Sequence, residues 1–157
     1  MTAGTAWTEM RRTCWAYSPG GHLAELERAT EGIRFTDRFD ITFAGGRPPG
    51  EAPRRSYLVC HPRRAVGRTL LNVCQSLLIV LRERPLLVVS TGADVAVPIC
   101  ILARLLGARL VFIETAGELA PTLAGRLVYP FADLFIVQWP EKLQAFPRAV
   151  LASGPLL

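Results

Sequence analysis

The sequence predicts an α/β fold, a doubly wound parallel sheet with helices on both faces. Three observations carry that expectation. Short apolar runs recur along the 157 residues and are nearly continuous rather than alternating, as strands buried on both faces require. Segments of helical length separate several of these runs. Glycines and hydroxyl residues stand at two strand-to-helix junctions, and a Rossmann-like sheet gathers its ligands there, beyond the carboxyl ends of its strands.

Residues 1–12 hold neither the apolar core of a signal peptide nor a membrane span, and are expected to be a flexible N-terminus of a cytoplasmic protein. Residues 13–157 are expected to form one domain, because half the chain is hydrophobic and its length suits a single core. The first strand is expected over 14–17. It leads into Ser18-Pro19-Gly20-Gly21-His22 and a helix over 23–31. Adjacent glycines free the backbone and let a ligand approach it, while the following helix offers unpaired N–H groups and the positive end of its dipole. The spacing differs from the G-x-G-x-x-G dinucleotide fingerprint, so the turn prepares an anion site without naming its ligand.

A strand over 41–44 precedes residues 45–55, whose three prolines and three glycines predict an exposed, mobile connector. A strand over 56–60 is followed by a helix over 66–84. In that helix Leu70, Cys74, Leu77, Leu78 and Leu81 share one face, and Asn72, Gln75 and Ser76 form a narrow polar stripe. So wide an apolar arc predicts packing on the sheet, with Arg63, Arg64, Arg68, Arg82 and Arg84 at the two ends as a secondary contact for anionic lipid. The segment is too short and too polar to span a bilayer.

The strongest strand signal, 86–90, runs into Ser90-Thr91-Gly92-Ala93-Asp94 and a helix over 95–106. Asp94 is read first as a helix cap and second as a substrate contact. A strand over 110–114 closes on Glu114, then turns away through Thr115-Ala116-Gly117. At a strand end Glu114 is a candidate base or hydroxyl acceptor, and equally a partner for an arginine. His22 reads as a phosphate ligand, a base or a cap. A helix over 123–129, a strand over 134–137 and a candidate last strand over 149–152 complete the chain. The stretch from Tyr129 to Pro140 is rich in aromatic and proline residues, common both in cores and at interfaces.

Eighteen basic residues against 13 acidic ones give a net charge of +5, and Lys142 is the single lysine among them. Arginine suits bidentate recognition of phosphate. No basic run is interleaved with aromatics, which argues against nucleic acid as a partner. Cys14, Cys60, Cys74 and Cys100 make no C-x-x-C pair and fit a reducing compartment. Cys60-His61 finds no second ligand pair at zinc-like spacing, so neither a metal nor another cofactor is expected.

One ordered series stands out: Gly-Gly-His at 20–22, Ser-Thr-Gly-Ala-Asp at 90–94 before Ala-Val-Pro, Phe-Ile-Glu at 112–114, then Gly-Arg, Tyr-Pro, Ala-Asp and Val-Gln-Trp. This series resembles the asparagine-linked glycosylation protein fourteen family and its bacterial relatives in exopolysaccharide and capsule synthesis, over residues 13–157. The resemblance implies the acceptor-side, N-terminal half of a split GT-B glycosyltransferase at the inner face of the plasma membrane. A separate nucleotide-sugar-binding subunit would then hold most of the UDP-sugar, and the acceptor would be a lipid-linked diphosphate. It further implies that His22 and Glu114 are the catalytic candidates. By the same resemblance Gly20, Gly21, Glu25, Thr91, Gly92 and Asp94 would contact acceptor or phosphate, and Gln138 and Trp139 would lie near the partner; Ser18 joins the phosphate-binding set from the glycine turn itself, and Arg126 as the residue to which charge stabilisation would have moved. N-acetylglucosamine or a related hexose would be the transferred sugar.

Two departures are visible. Family members commonly carry Ser after the strand-end Glu and Arg three residues beyond it, where this chain has Thr115 and Glu118. The later Ser/Thr-Gly element reads Thr122-Leu123-Ala124-Gly125-Arg126. The rival reading is a non-catalytic membrane scaffold or degenerate subunit; a free-standing nucleotide-binding domain ranks third, for want of a ribose-binding fingerprint.

Overall fold

The computed structural model describes residues 7–154. Its strands are β1 (Trp7–Glu9), β2 (Thr13–Ala16), β3 (Ile33–Phe35), β4 (Arg38–Thr42), β5 (Arg55–Leu58), β6 (Leu87–Ser90), β7 (Arg109–Ile113), β8 (Leu134–Val137) and β9 (Val150–Leu151). Its helices are α1 (Gly21–Ala29), α2 (Val66–Glu83), α3 (Val97–Leu105) and α4 (Leu123–Val128), with 3-10 turns at Tyr129–Phe131 and Pro140–Gln144. Seven strands form one sheet in the order β5-β4-β2-β6-β7-β8-β9, every neighbouring pair parallel. The chain starts near the middle and reverses direction between β2 and β6, the place where a doubly wound sheet opens a crevice. Of the segment expected to be a flexible N-terminus, Trp7–Glu9 forms a short strand paired in parallel with β3. Residues 1–6 lie outside the described residues.

Alternation along the strands divides the core. Cys14, Ala16, Phe39, Ile41, Val88, Leu110 and Phe112 face Ile79 and Val80 of α2 and Ile99 and Cys100 of α3. Trp15, Tyr17, Leu87, Val89 and Ile113 face Leu23 and Leu26 of α1. Full burial of each large side chain stabilises by about 1.5–3 kcal/mol. Beyond α1 this second face continues as an apolar groove of about 530 Å³ over β6, β7 and β8.

β4 begins earlier than the sequence predicts, because two of its five buried residues are charged. The Arg38 guanidinium lies 3.9 Å from the centre of the Trp15 ring, and its Nε lies 3.0 Å from Asp40 Oδ1. Tyr17 donates its hydroxyl to Asp40 Oδ2 at 2.8 Å. Burial pushes the Asp40 carboxyl up to about 6, against the opposing pull of Arg38.

α2 reverses its expected orientation. Asn72, Ser76, Ile79, Val80 and Glu83 are buried, whereas Leu70, Leu71, Leu77, Leu78 and Leu81 are exposed. The polar stripe turns inward because it has backbone to hold. Asn72 donates to the carbonyls of Cys60 and Val95 at 2.7 and 3.3 Å, Ser76 donates to Asn72 Oδ1 at 3.1 Å, and Gln75 Oε1 accepts from Cys60 N–H at 2.8 Å. Leaving those buried groups unpaired would cost more than leaving leucines in water.

The connector over 45–55 is tied down. Glu27 of α1 accepts from Gly50 N–H at 2.7 Å and pairs with Arg47, while Glu51 O accepts from Arg38. Gly46, at φ +73°, passes so close to Pro19 that a Cβ there would lie 2.4 Å from the proline Cβ. The connector therefore braces the glycine turn.

Candidate functional site

Because all sheet strands run in parallel, each strand-to-helix loop emerges on the same edge. The loops β2–α1, β5–α2, β6–α3 and β7–α4 enclose a cleft of about 360 Å³ there. His22, Thr91, Gly92 and Asp94, all expected at the site, line it. So do His61, Arg64, Thr115, Glu118 and Thr122.

The β2–α1 and β6–α3 loops lock each other reciprocally. Thr91 donates its hydroxyl to the His22 carbonyl at 2.6 Å, and His22 Nδ1 donates to the Thr91 carbonyl at 2.9 Å. A carbonyl can only accept, so Nδ1 carries a proton, and in the singly protonated ring the lone pair lies on Nε2. Gly20 at φ +98° makes the turn, and neither Gly20 nor Gly21 would place a Cβ within 4 Å of another group. Gly21 and His22 form the first turn of α1, one residue pair earlier than expected. Gly92, at φ +102°, takes a conformation that L side chains rarely adopt, and a Cβ there would press on Phe112 Cζ at 3.3 Å. Asp94 does not cap α3. The N-cap is Ala96, with no side-chain cap hydrogen bond, and Asp94 faces the cleft instead.

Glu25 and Glu114 lie behind the cleft wall, each 1% exposed. Glu25 Oε1 accepts from Thr115 Oγ1 at 3.0 Å, Ala116 N at 2.7 Å and Gln138 Nε2 at 3.4 Å, binding α1 to the loop after β7. Its Oε2 lies 3.8 Å from His22 Nδ1. Glu114 accepts from Thr122 N–H at 2.7 Å, from the Thr122 hydroxyl at 3.0 Å, and from Lys142 Nζ at 3.3 Å. Lys142 is fully buried and also donates to the Thr115 carbonyl at 2.7 Å. Thr122 in turn caps α4 by accepting from Gly125 N–H at 2.9 Å. Gly125 is required here, since a Cβ would fall 2.2 Å from Glu114 Oε2. The altered Thr122–Gly125 element thus keeps a threonine cap and a glycine at working positions.

Ser18, Gly20, Gly21 and Arg126 do not line the cleft; Arg126 is exposed on α4. Gln138 is 3% exposed and donates to the Glu114 carbonyl at 2.9 Å, while Trp139 donates its Nε1 to the Ala116 carbonyl at 2.8 Å. Sequence reasoning passed over Lys142, His61 and Arg64 as site residues. The single lysine and the pairing of His61 with an arginine two positions short of the helix were the available signals. Among the described residues no group of three His, Cys, Asp or Glu could hold a metal ion.

This architecture, a seven-stranded parallel sheet with a loop cleft at its carboxyl edge, is that of the N-terminal half of GT-B glycosyltransferases and their relatives. A crystal structure of MurG from Acinetobacter baumannii superimposes with a TM-score of 0.59 at 16% identity, covering 92% of this chain and 44% of that one. A UDP-N-acetylglucosamine 2-epimerase superimposes with a TM-score of 0.66 at 10% identity, covering 89% and 45%. Within that class the chain belongs to the family described as oligosaccharide biosynthesis protein Alg14 like, which it matches over residues 57–154.

Among curated relatives, the UDP-N-acetylglucosamine transferase subunit ALG14 of Rattus norvegicus is 33% identical over 93 residues, 55% of this chain and 43% of that protein. The ALG14 subunit of Eremothecium gossypii is 35% identical over 98 residues, covering 54% and 44%. A protein of Treponema pallidum (strain Nichols) is 38% identical over 88 residues, covering 56% of this chain and 22% of its own length. That relative is named UDP-N-acetylglucosamine--N-acetylmuramyl-(pentapeptide) pyrophosphoryl-undecaprenol N-acetylglucosamine transferase. The matches thus span less than half the length of these relatives.

Proposed function

We propose that this chain is the acceptor-side half of a two-component UDP-sugar glycosyltransferase, which transfers N-acetylglucosamine or a related hexose to a lipid-linked diphosphate. A second subunit binds the nucleotide sugar and closes over the cleft. The observation that carries this reading is the fixed tautomer of His22 at the rim of the cleft. With Nδ1–H spent on Thr91, Nε2 takes the proton of the acceptor hydroxyl as its oxygen attacks the anomeric carbon and the UDP leaves. Such general-base assistance contributes about 10²–10⁴-fold.

Glu114 acts through position. Its oxygens hold Thr122 and Lys142, which set the loop forming the far wall of the cleft. Gln138 supports the same wall from within, and the partly exposed Trp139 is the residue of that pair left to meet the partner. The exposed leucine face of α2, bracketed by arginines, lies against the inner leaflet of the plasma membrane and brings the cleft to lipid-linked acceptors. Among the described residues no helix is long and apolar enough to cross a membrane. A recruiting scaffold without chemistry has one observation in its favour: Glu118 lines the cleft where the family resemblance calls for arginine.

Co-expression with a nucleotide-sugar-binding half tests the proposal. Transfer from radiolabelled UDP-N-acetylglucosamine to a lipid diphosphate is expected only from the pair, and His22→Ala should lower it at least about 10²-fold. A stable but inert pair, or a His22→Ala pair of undiminished rate, would favour the scaffold.

A further inference from the structure

We propose that the β5–α2 loop supplies an anion subsite to this cleft, in which Arg64 and His61 Nε2–H hold the diphosphate of the acceptor. The identity of the acceptor rests on the glycosyltransferase reading above; the subsite rests on the geometry of this chain. Both histidines of the molecule, distant in sequence, line one cleft. They are held as opposite tautomers. His22 spends Nδ1–H on a carbonyl, whereas His61 Nδ1 accepts from Arg63 N–H at 3.1 Å and so leaves the His61 proton on Nε2. One ring is therefore an acceptor suited to a hydroxyl proton, and the other a donor suited to a phosphoryl oxygen.

The loop is built to present these groups. Arg63 and Arg64 both adopt left-handed backbone, at φ 47° and 55°, a conformation that costs free energy for residues with side chains and persists only where surroundings impose it. Here the buried Asn72 grips the Cys60 carbonyl, Gln75 accepts from the Cys60 N–H, and Phe43 packs edge-on against His61 at 4.5 Å. Arg64 has no ion-pair partner among the described residues, and it is the one arginine in the cleft lining.

The backbone field has the same sign. α1, α2 and α3 each start on this edge of the sheet without a side-chain cap and without an acidic residue in the first turn. Their positive dipole ends favour an anion, and α1 and α2, whose first turns hold no proline, also offer first-turn N–H groups to it. Glu118 and Asp94 bring negative charge to the lining and Arg126 does not reach it, so Arg64 is the lysine or arginine that supplies positive charge to the cleft. Asp94 and Glu118 suit sugar hydroxyls rather than phosphate.

The full chain, labelled at its two histidines, allows a direct test by nuclear magnetic resonance. In the free protein the ring nitrogens should report Nδ1–H for His22 and Nε2–H for His61; the reverse assignment for His61 would overturn the proposal. Inorganic pyrophosphate should shift both imidazoles. Arg64→Gln should weaken that binding about tenfold, the loss of one charge-assisted contact, while Arg34→Gln on exposed β3 should leave it unchanged. Pyrophosphate that moves neither ring, or an Arg64→Gln chain that binds as well as wild type, would overturn it.

Farnesyl diphosphate and UDP separate the two sources of a diphosphate. Tighter binding of the prenyl compound is expected, and equal or tighter binding of UDP would overturn the acceptor assignment. If Arg64→Gln weakens pyrophosphate binding but the reconstituted pair transfers no sugar, the subsite stands and the glycosyltransferase reading falls.

Discussion

Glu114, a catalytic candidate in the sequence, is 1% exposed in the fold and fully engaged by neighbours. A carboxylate at the end of an apolar strand reads as a base, yet here both oxygens are spent on Thr122 and a fully buried lysine. Removing one partner of such a pair leaves an uncompensated buried charge and costs about 3–5 kcal/mol. Lys142→Ala should therefore lower the unfolding free energy by about that amount, measured by urea denaturation. A Glu114→Ala variant must be shown folded before any loss of transfer is assigned to chemistry. Gly125→Ala should destabilise by about 1–3 kcal/mol, because its methyl would meet Glu114 Oε2 at 2.2 Å.

Asp40 carries a pH dependence of definite sign. Its folded-state value, raised by burial to about 6 from 3.8, means that the native chain binds this proton more tightly than the unfolded chain. Its contribution to stability is thus full below pH ~4 and lost as pH rises through ~6. Glu9, Glu27, Asp37 and Asp133, whose values are lowered by arginine or backbone donors, act in the opposite sense and below that window. Between pH ~5 and pH ~7 the stability of Asp40→Asn should fall less steeply with rising pH than that of wild type. Parallel denaturation curves for the two would contradict the assignment.

At the scale of the element, α2 is instructive because its hydrophobic pattern and its burial disagree. Periodicity identifies its length, and its bounds, Val66–Glu83, lie within one residue of expectation. Which side faces inward was decided by two polar side chains, Asn72 and Gln75, with partners on loops outside the helix, and by Ser76, which holds Asn72. Replacing Leu78 and Leu81 by serine should change stability by no more than about 0.5 kcal/mol each, as for other exposed positions. Asn72→Leu should cost about 1–3 kcal/mol by leaving the Cys60 and Val95 carbonyls unpaired in the interior. Thermal unfolding of the variants would separate this inside-out helix from one packed by its leucines.

For the whole molecule, the exposed leucines and their flanking arginines set an expected behaviour at membranes. The chain should float with vesicles rich in phosphatidylserine at low salt and release as ionic strength rises, since each arginine near the surface contributes about 1 kcal/mol that salt screens. Leu78→Asp/Leu81→Asp should abolish flotation without unfolding the protein. Indifference to both salt and substitution would remove α2 from the interface. By itself the sequence determined the class of fold, the strand-to-helix junctions at Gly20–His22 and Ser90–Asp94, and the ordered motifs of the family, because short-range periodicity and turn chemistry are written in consecutive residues. It left β1, β3 and the charged start of β4 unread, since short strands with exposed or charged residues carry no apolar run. Only the tertiary structure decided that His61 and Arg64 join His22, that Asp94 faces the cleft, that Glu114 is consumed by Lys142, and that α2 shows its leucines to solvent. Those outcomes depend on which buried polar groups find partners across the sheet, and such pairings are long-range contacts that no local pattern of residues encodes.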